Sequence, residues 1–163
     1  MGKRDQSDEA YVISLCDQVL GQTAERQKRF PFLIGDPGPS GRCAKLPVDA
    51  YYPSLALVVE YREEQHSGPV AHFDKPWKLT VSGVHRGEQR KIYDERRRQV
   101  LPANGIRLVE IECSALAHDS RMRLLRKPED DRRVIQDLLE AAGVEFIPEN
   151  GGGPGVRLKK ARE

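Results

Sequence analysis

The sequence predicts an α/β domain in which a mixed sheet carries helices packed on it. Apolar residues recur at helical spacing in three separate segments, residues 8–20, 85–101 and 131–142. Four short runs with strand character, residues 30–34, 46–52, 55–61 and 106–113, lie between them. The predicted order is helix, three strands, helix, strand, helix.

In the first segment Val12, Leu15, Cys16, Val19 and Leu20 follow the i, i+3, i+4, i+7, i+8 spacing of a helix with one buried stripe, and Gly21 is placed to stop it. A basic stretch, residues 26–29, leads into Phe30-Pro31-Phe32-Leu33-Ile34, closed by Gly35-Asp36-Pro37-Gly38-Pro39: a strand ending in a loop. The second strand is bounded by the turn pair Pro53-Ser54. Residues 55–61, LALVVEY, are apolar nearly throughout, as a strand covered on both faces is. So short a link between the two implies an antiparallel hairpin. Residues 63–83 are polar and broken by Gly and Pro, which predicts a loop long enough to be functional.

The helix over 85–101 is strongly basic and is ended by Pro102-Ala103-Asn104-Gly105. Residues 106–113 alternate apolar and polar, the mark of a strand with one exposed face. The last helix sets Val134, Ile135, Leu138 and Leu139 on one side, with acidic residues in its first turn and Gly143 at its end. The stretch GGGPGVRLKKARE from Gly151 is Gly-rich and basic, so one domain over 1–150 and a flexible tail over 151–163 are expected.

The chain has 163 residues, enough for one domain with a real core. Hydrophobic residues make up 38% and charged residues 32%, which excludes a membrane protein and a depleted disordered chain. No apolar run approaches the ~20 residues that span a bilayer. MGKRDQSDEA at the N-terminus lacks the apolar core of a secretory signal. The three cysteines, Cys16, Cys43 and Cys113, form no CxxC pair and no Cys/His cluster. That argues against a structural zinc site or a disulfide framework and for reduced thiols in a cytoplasm. A net charge of only +2 does not by itself announce a nucleic-acid binder.

Asp49 falls on the second predicted strand and Glu60 near the end of the third. A hairpin brings adjacent strands to about 5 Å, so the two carboxylates share one side of the sheet if the register suits. Such a pair makes a hard-oxygen site of the kind Mg²⁺ or Mn²⁺ favours, keeping waters and a substrate phosphate in its shell. A metal there polarises a phosphoryl oxygen and lowers the pKa of an attacking water. The plain alternative is two strand-end acids facing solvent. Glu60 directly follows LALVV, where a charge is costly without a task or partner.

Pro47-Val48-Asp49, then ten residues, then Glu60-Tyr61-Arg62 resembles the PD-(D/E)xK signature of the restriction-endonuclease-like nucleases. The wider stretch LPVDAYYPSLALVVEYREEQH is similar to the strand hairpin of the very-short-patch-repair endonucleases and their phage and restriction-enzyme relatives. The resemblance implies a restriction-endonuclease-like core and metal-dependent hydrolysis of DNA phosphodiester bonds, with Asp49 and Glu60 as metal ligands. It also implies a supporting carboxylate in the first helix, where Glu9 stands; Glu9 serves equally as a helix-start acid favoured by the dipole.

Arg62 departs from that pattern, because the superfamily has lysine there. Arginine stays protonated and cannot act as a base, though it can stabilise charge on phosphoryl oxygens. Alternatively it is a surface cation paired with Glu63 or Glu64. Gln65 is then a candidate to orient water in place of the lysine. His66 is a candidate general acid or base, or an ordinary loop histidine.

Residues 86–107 hold seven Lys/Arg against three acids. Arg86, Arg90, Asp94 and Arg97 fall on one helix face. This face suits phosphate contact, with Arg86, Arg90 and Arg97 as DNA-binding residues. Read plainly, it is a solvated face of paired charges. A basic run over 121–127 and Arg157, Lys159 and Lys160 would extend the footprint. The expected partner is double-stranded DNA, and a homodimer is compatible. Aromatic residues, 6% of the chain, offer few stacking platforms for single strands. The rival classes are a DNA-binding module with an impaired active site and a structural or assembly partner.

Overall fold

The computed structural model describes residues 7–63, 78–148 and 155–159. Gln65 and His66 lie outside the described residues, as does most of the predicted loop over 63–83.

Helix α1 (Asp8–Leu20) starts where the Ser7 side chain accepts the Ala10 amide at 3.0 Å. It stops at Gly21, whose φ of 63° is the left-handed conformation a helix end requires. Strand β1 (Glu25–Pro37) is much longer than the apolar run 30–34. It takes in the preceding basic stretch because it pairs antiparallel with β2 (Cys43–Tyr52), with irregularities between Arg29 and Ile34 and between Ile34 and Pro37. One 3₁₀ turn (Pro53–Leu55) and the left-handed Ala56 (φ 44°) then reverse the chain into β3 (Leu57–Arg62). The β2–β3 hairpin is antiparallel, as its short link predicts.

Helix α2 (Arg86–Ala103) is the crossover that makes β3 parallel to β4 (Arg107–Glu112). It runs through Pro102 in its last turn, one residue-pair past the predicted end. The four-stranded sheet has the order β1-β2-β3-β4. An α/β architecture with a mixed sheet and three helices is therefore observed.

The two sheet faces differ. One carries α1 and α3 (Pro128–Ala141) over a core that includes Val12, Cys16, Tyr52, Val59, Ile111, Ile135 and Leu139. The other carries α2 over Phe30, Leu33, Val48, Val58, Leu101 and Ile106. Tyr93 on α2 fixes the helix to the β1–β2 hairpin, its hydroxyl accepting the Asp36 amide at 3.0 Å. Gly35 permits that approach, since a Cβ there would lie 2.8 Å from the Tyr93 oxygen.

Two expectations are corrected at the C-terminal end. Helix α3 begins three residues before Asp131; its first turn is acidic as expected, with Glu129, Asp130 and Asp131, and Asp131 is buried. Its carboxylate accepts the Tyr11 hydroxyl at 2.6 Å and the amides of Lys127 at 3.0 Å and Ala117 at 3.3 Å. Part of the expected flexible tail is a strand. β5 (Val144–Ile147) pairs antiparallel with β6 (Gly155–Leu158), because Val156 and Leu158 reach the α1/α3 core despite their Gly-rich surroundings. Among the described residues no helix is long and apolar enough to cross a membrane.

Candidate active site

The site forms where β2 and β3 part. Their Cα pairs are Tyr52–Leu57, Tyr51–Val58 and Ala50–Val59. One step further Asp49 meets Glu60, and side chains take over from the backbone ladder. The Tyr61 amide donates to Asp49 Oδ2 at 2.9 Å, while the Asp49 amide points at Glu60 Oε1 at 3.4 Å. The parallel register sets Glu110 of β4 beside Glu60. Asp49, Glu60 and Glu110 thus cross three strands on the α2 face.

Helix α2 and β3 supply the counter-charges. Arg62, two residues beyond Glu60 and so on the same face, donates to Glu110 Oε1 through Nε at 3.0 Å and Nη2 at 2.8 Å. Its Nη1 reaches Asp94 Oδ1 at 2.5 Å. Arg97 donates to the Pro47 carbonyl through Nε at 3.2 Å and Nη2 at 2.9 Å, and to Asp94 at 3.2 Å. Its Nε also lies 3.6 Å from Glu60 Oε1. Arg98 closes the row on Glu110 Oε2 at 2.9 Å. These four carboxylates therefore face three guanidinium groups, an excess of one, and Arg98 also pairs with the exposed Glu95 at 3.4 Å.

That excess falls on Asp49 and Glu60. Glu60 is 3% exposed, and burial, reinforced by the neighbouring Asp49 carboxylate, pushes its pKa up to about 8. Arg97 and Arg62 oppose the rise without cancelling it. Burial also raises Asp49, against the Tyr61 amide and the same two arginines. Both carboxyl groups are thus pushed toward the protonated form, the two shifts belonging to the pair rather than to either residue.

The predicted site residues divide. Asp49 and Glu60 converge. Arg62 shares their face, but its cation is spent on Glu110 and Asp94 rather than on Glu63 or on an open phosphate position. Glu9 does not join them: it sits on α1, across the sheet, accepting from Gln27 Nε2 at 3.1 Å. Among the described residues no group of three or more His, Cys, Asp or Glu side chains is gathered to hold a metal. Arg97, expected on a phosphate-binding face, turns inward. Its helix stripe points at the sheet, and Leu101 one turn later is fully buried. Arg86 and Arg90 lie on the same stripe toward the helix N-terminus, and neither has a partner among the described residues.

In the other basic runs three arginines have acidic partners of their own, and Lys160 lies outside the described residues. Arg123 pairs with Asp119 and Arg126 with Asp8, on the α1 side; Arg157 pairs with Glu145. Sequence reading missed Glu110, Arg98 and the Pro47 carbonyl. The signal for Glu110 was present in the helical crossover, which makes β3 and β4 parallel neighbours.

Comparison with known proteins returns no matching family model, no similar curated protein and no similar solved structure.

Proposed function

We propose that the chain is a metal-dependent endonuclease that hydrolyses DNA phosphodiester bonds, with Asp49 and Glu60 as ligands of Mg²⁺ or Mn²⁺. The observation that carries this reading is the meeting of buried Glu60 with half-buried Asp49 where β2 and β3 part. Carboxylates this poorly hydrated repel, and this pair lacks one neutralising charge. Their donor set is hard oxygen, and Mg²⁺ takes one or two protein carboxylates together with substrate phosphate rather than an all-protein cage. When bound, the ion supplies polarisation of the scissile phosphoryl group and a more acidic water. Asp49 is held in place by the Tyr61 amide, and Glu60 is kept from water by its burial. Arg86 and Arg90, further out on the same helix stripe, meet the neighbouring phosphates of a duplex.

Incubation with supercoiled plasmid and Mg²⁺ or Mn²⁺ tests the reading. Nicked or linear product should form with the native chain, stop on chelation and be absent with Glu60→Gln. A plasmid left intact under every metal condition removes the nuclease reading.

A second reading has its own observation: Arg62, where the nuclease signature has lysine, is engaged by two carboxylates. On that reading the chain binds duplex without cutting it, and binding persists in EDTA with no metal dependence.

A further inference from the structure

Arg97 occupies a distinctive electrostatic position. Its side chain is 12% exposed, and its guanidinium is anchored twice to the Pro47 carbonyl, beyond the last β2–β3 pair. The 3.6 Å separation from Glu60 Oε1 exceeds an N–H···O bond. The contact is therefore charge attraction without a hydrogen bond, and the bond that Glu60 Oε1 does accept comes from the neutral Asp49 amide at 3.4 Å. Arg62 is balanced by both Glu110 and Asp94. Arg97 is not, because its hydrogen-bonded carboxylate, Asp94, is shared with Arg62 and lies closer to it, 2.5 Å against 3.2 Å.

Arginine cannot shed its proton to relieve crowding. A divalent ion on Asp49 and Glu60 therefore sits beside a fixed positive charge in a poorly hydrated place, where repulsion is weakly screened. Two carboxylates against a divalent ion and a guanidinium leave one positive charge. A phosphodiester carries the single negative charge that completes the balance.

We infer that Arg97 couples the two ligands of this site, weakening divalent-cation binding to Asp49 and Glu60 until a nucleic-acid phosphate supplies the missing negative charge. The inference rests on the metal-site reading proposed above. Coupling is reciprocal, so the cation must strengthen phosphate binding by the same factor.

Ca²⁺ serves as the probe, because it occupies carboxylate sites while often failing to support cleavage. Ca²⁺ binding to the full chain is measured by calorimetry, and duplex affinity by fluorescence anisotropy in EDTA and in Ca²⁺. In the native chain Ca²⁺ should tighten duplex binding about tenfold, within the usual range of coupling. Arg97→Gln should bind Ca²⁺ about tenfold tighter without DNA and lose most of the gain on duplex. Arg97→Lys keeps the charge and should retain the native pattern.

Native duplex affinity that ignores Ca²⁺ overturns the coupling, and this measurement needs no variant to fold. Native Ca²⁺ affinity in a folded Arg97→Gln overturns it too. Glu60→Gln separates the two levels. If it abolishes Ca²⁺ binding while Arg97→Gln changes nothing, the coupling alone falls. If the native chain binds no Ca²⁺ even with duplex present, or Glu60→Gln binds it equally well, the metal site falls with it.

Discussion

The Tyr61 amide donates to Asp49 Oδ2 at 2.9 Å, standing where the next rung of the β2–β3 ladder would be. The bond aims a carboxylate into the gap between strands and satisfies a backbone group that would otherwise be buried unpaired. Asp49→Ala therefore removes more than a charge, whereas Asp49→Asn keeps an acceptor for Tyr61. The isosteric variants Asp49→Asn and Glu60→Gln are the informative ones.

Metal-free stability should fall as pH rises. The folded Glu60 pKa is about 8, against 4.5 for the free group. Between those values the folded protein keeps a proton that the unfolded chain has released. The stabilisation is complete below about 4.5 and lost as pH climbs through about 8, with a limiting slope near 1.4 kcal/mol per pH unit. Urea unfolding across this window should show the decline in the native chain and a flatter profile in Glu60→Gln. Identical profiles would mean that Glu60 does not carry the shift.

Arg62 should matter for stability before it matters for chemistry. Arg62→Ala leaves Glu110 with Arg98 alone and Asp94 with Arg97 alone in a half-buried place and should cost about 1–3 kcal/mol, discounted from a fully buried pair because a fifth of the side chain is exposed. Arg62→Lys loses the fork to Glu110 and should recover only part of that, without raising cleavage above the native rate. A denaturation midpoint unchanged in Arg62→Ala would contradict the ion-pair assignment.

Duplex affinity should depend on Arg86 and Arg90. Replacing both with Gln should weaken binding to every DNA sequence about equally, since phosphate contacts carry no sequence information. The slope of log K against log salt should become shallower by about 0.9 for each lost contact. Arg133→Gln, exposed on α3, changes charge equally on another face and is the control. Equal loss in the control would reduce the effect to net charge. Arg96 and Arg98 are poor controls because they pair with Asp36 and Glu110.

Asp131 should be among the most costly substitutions outside the site. Asp131→Ala leaves the Tyr11 hydroxyl and two amides without their acceptor, a loss of about 2–4 kcal/mol. Tyr11→Phe removes one donor and should cost about 1 kcal/mol. Thermal unfolding of both distinguishes a clasp from a surface acid: equal, small effects would argue against it.

Local chemistry made the framework legible in the sequence. Gly21 ends α1 as its capping chemistry selects, and the turn at Pro53-Ser54 set the β2–β3 hairpin that brings Asp49 against Glu60. These are effects of a few neighbouring residues, so a sequence displays them directly. β1 was only partly legible, because its basic half is a strand by virtue of pairing with β2, not by its own pattern. β6 was missed for the same reason: its strand character comes from β5 and from the core that Val156 and Leu158 touch.

By itself, then, the sequence determined an α/β chain and two acids one hairpin apart. Only the tertiary structure decided which charges answer them. Periodicity shows that Arg90, Asp94 and Arg97 share a stripe but not whether it faces solvent or sheet. The crossover of α2 turned it inward, sending Arg97 to Pro47 and Glu60 and leaving Arg86 and Arg90 at the open end. Likewise Arg62 met Glu110, 48 residues away, only because β3 and β4 run parallel. An ion pair depends on distance through space, and chain separation carries no information about it until the strands are laid side by side.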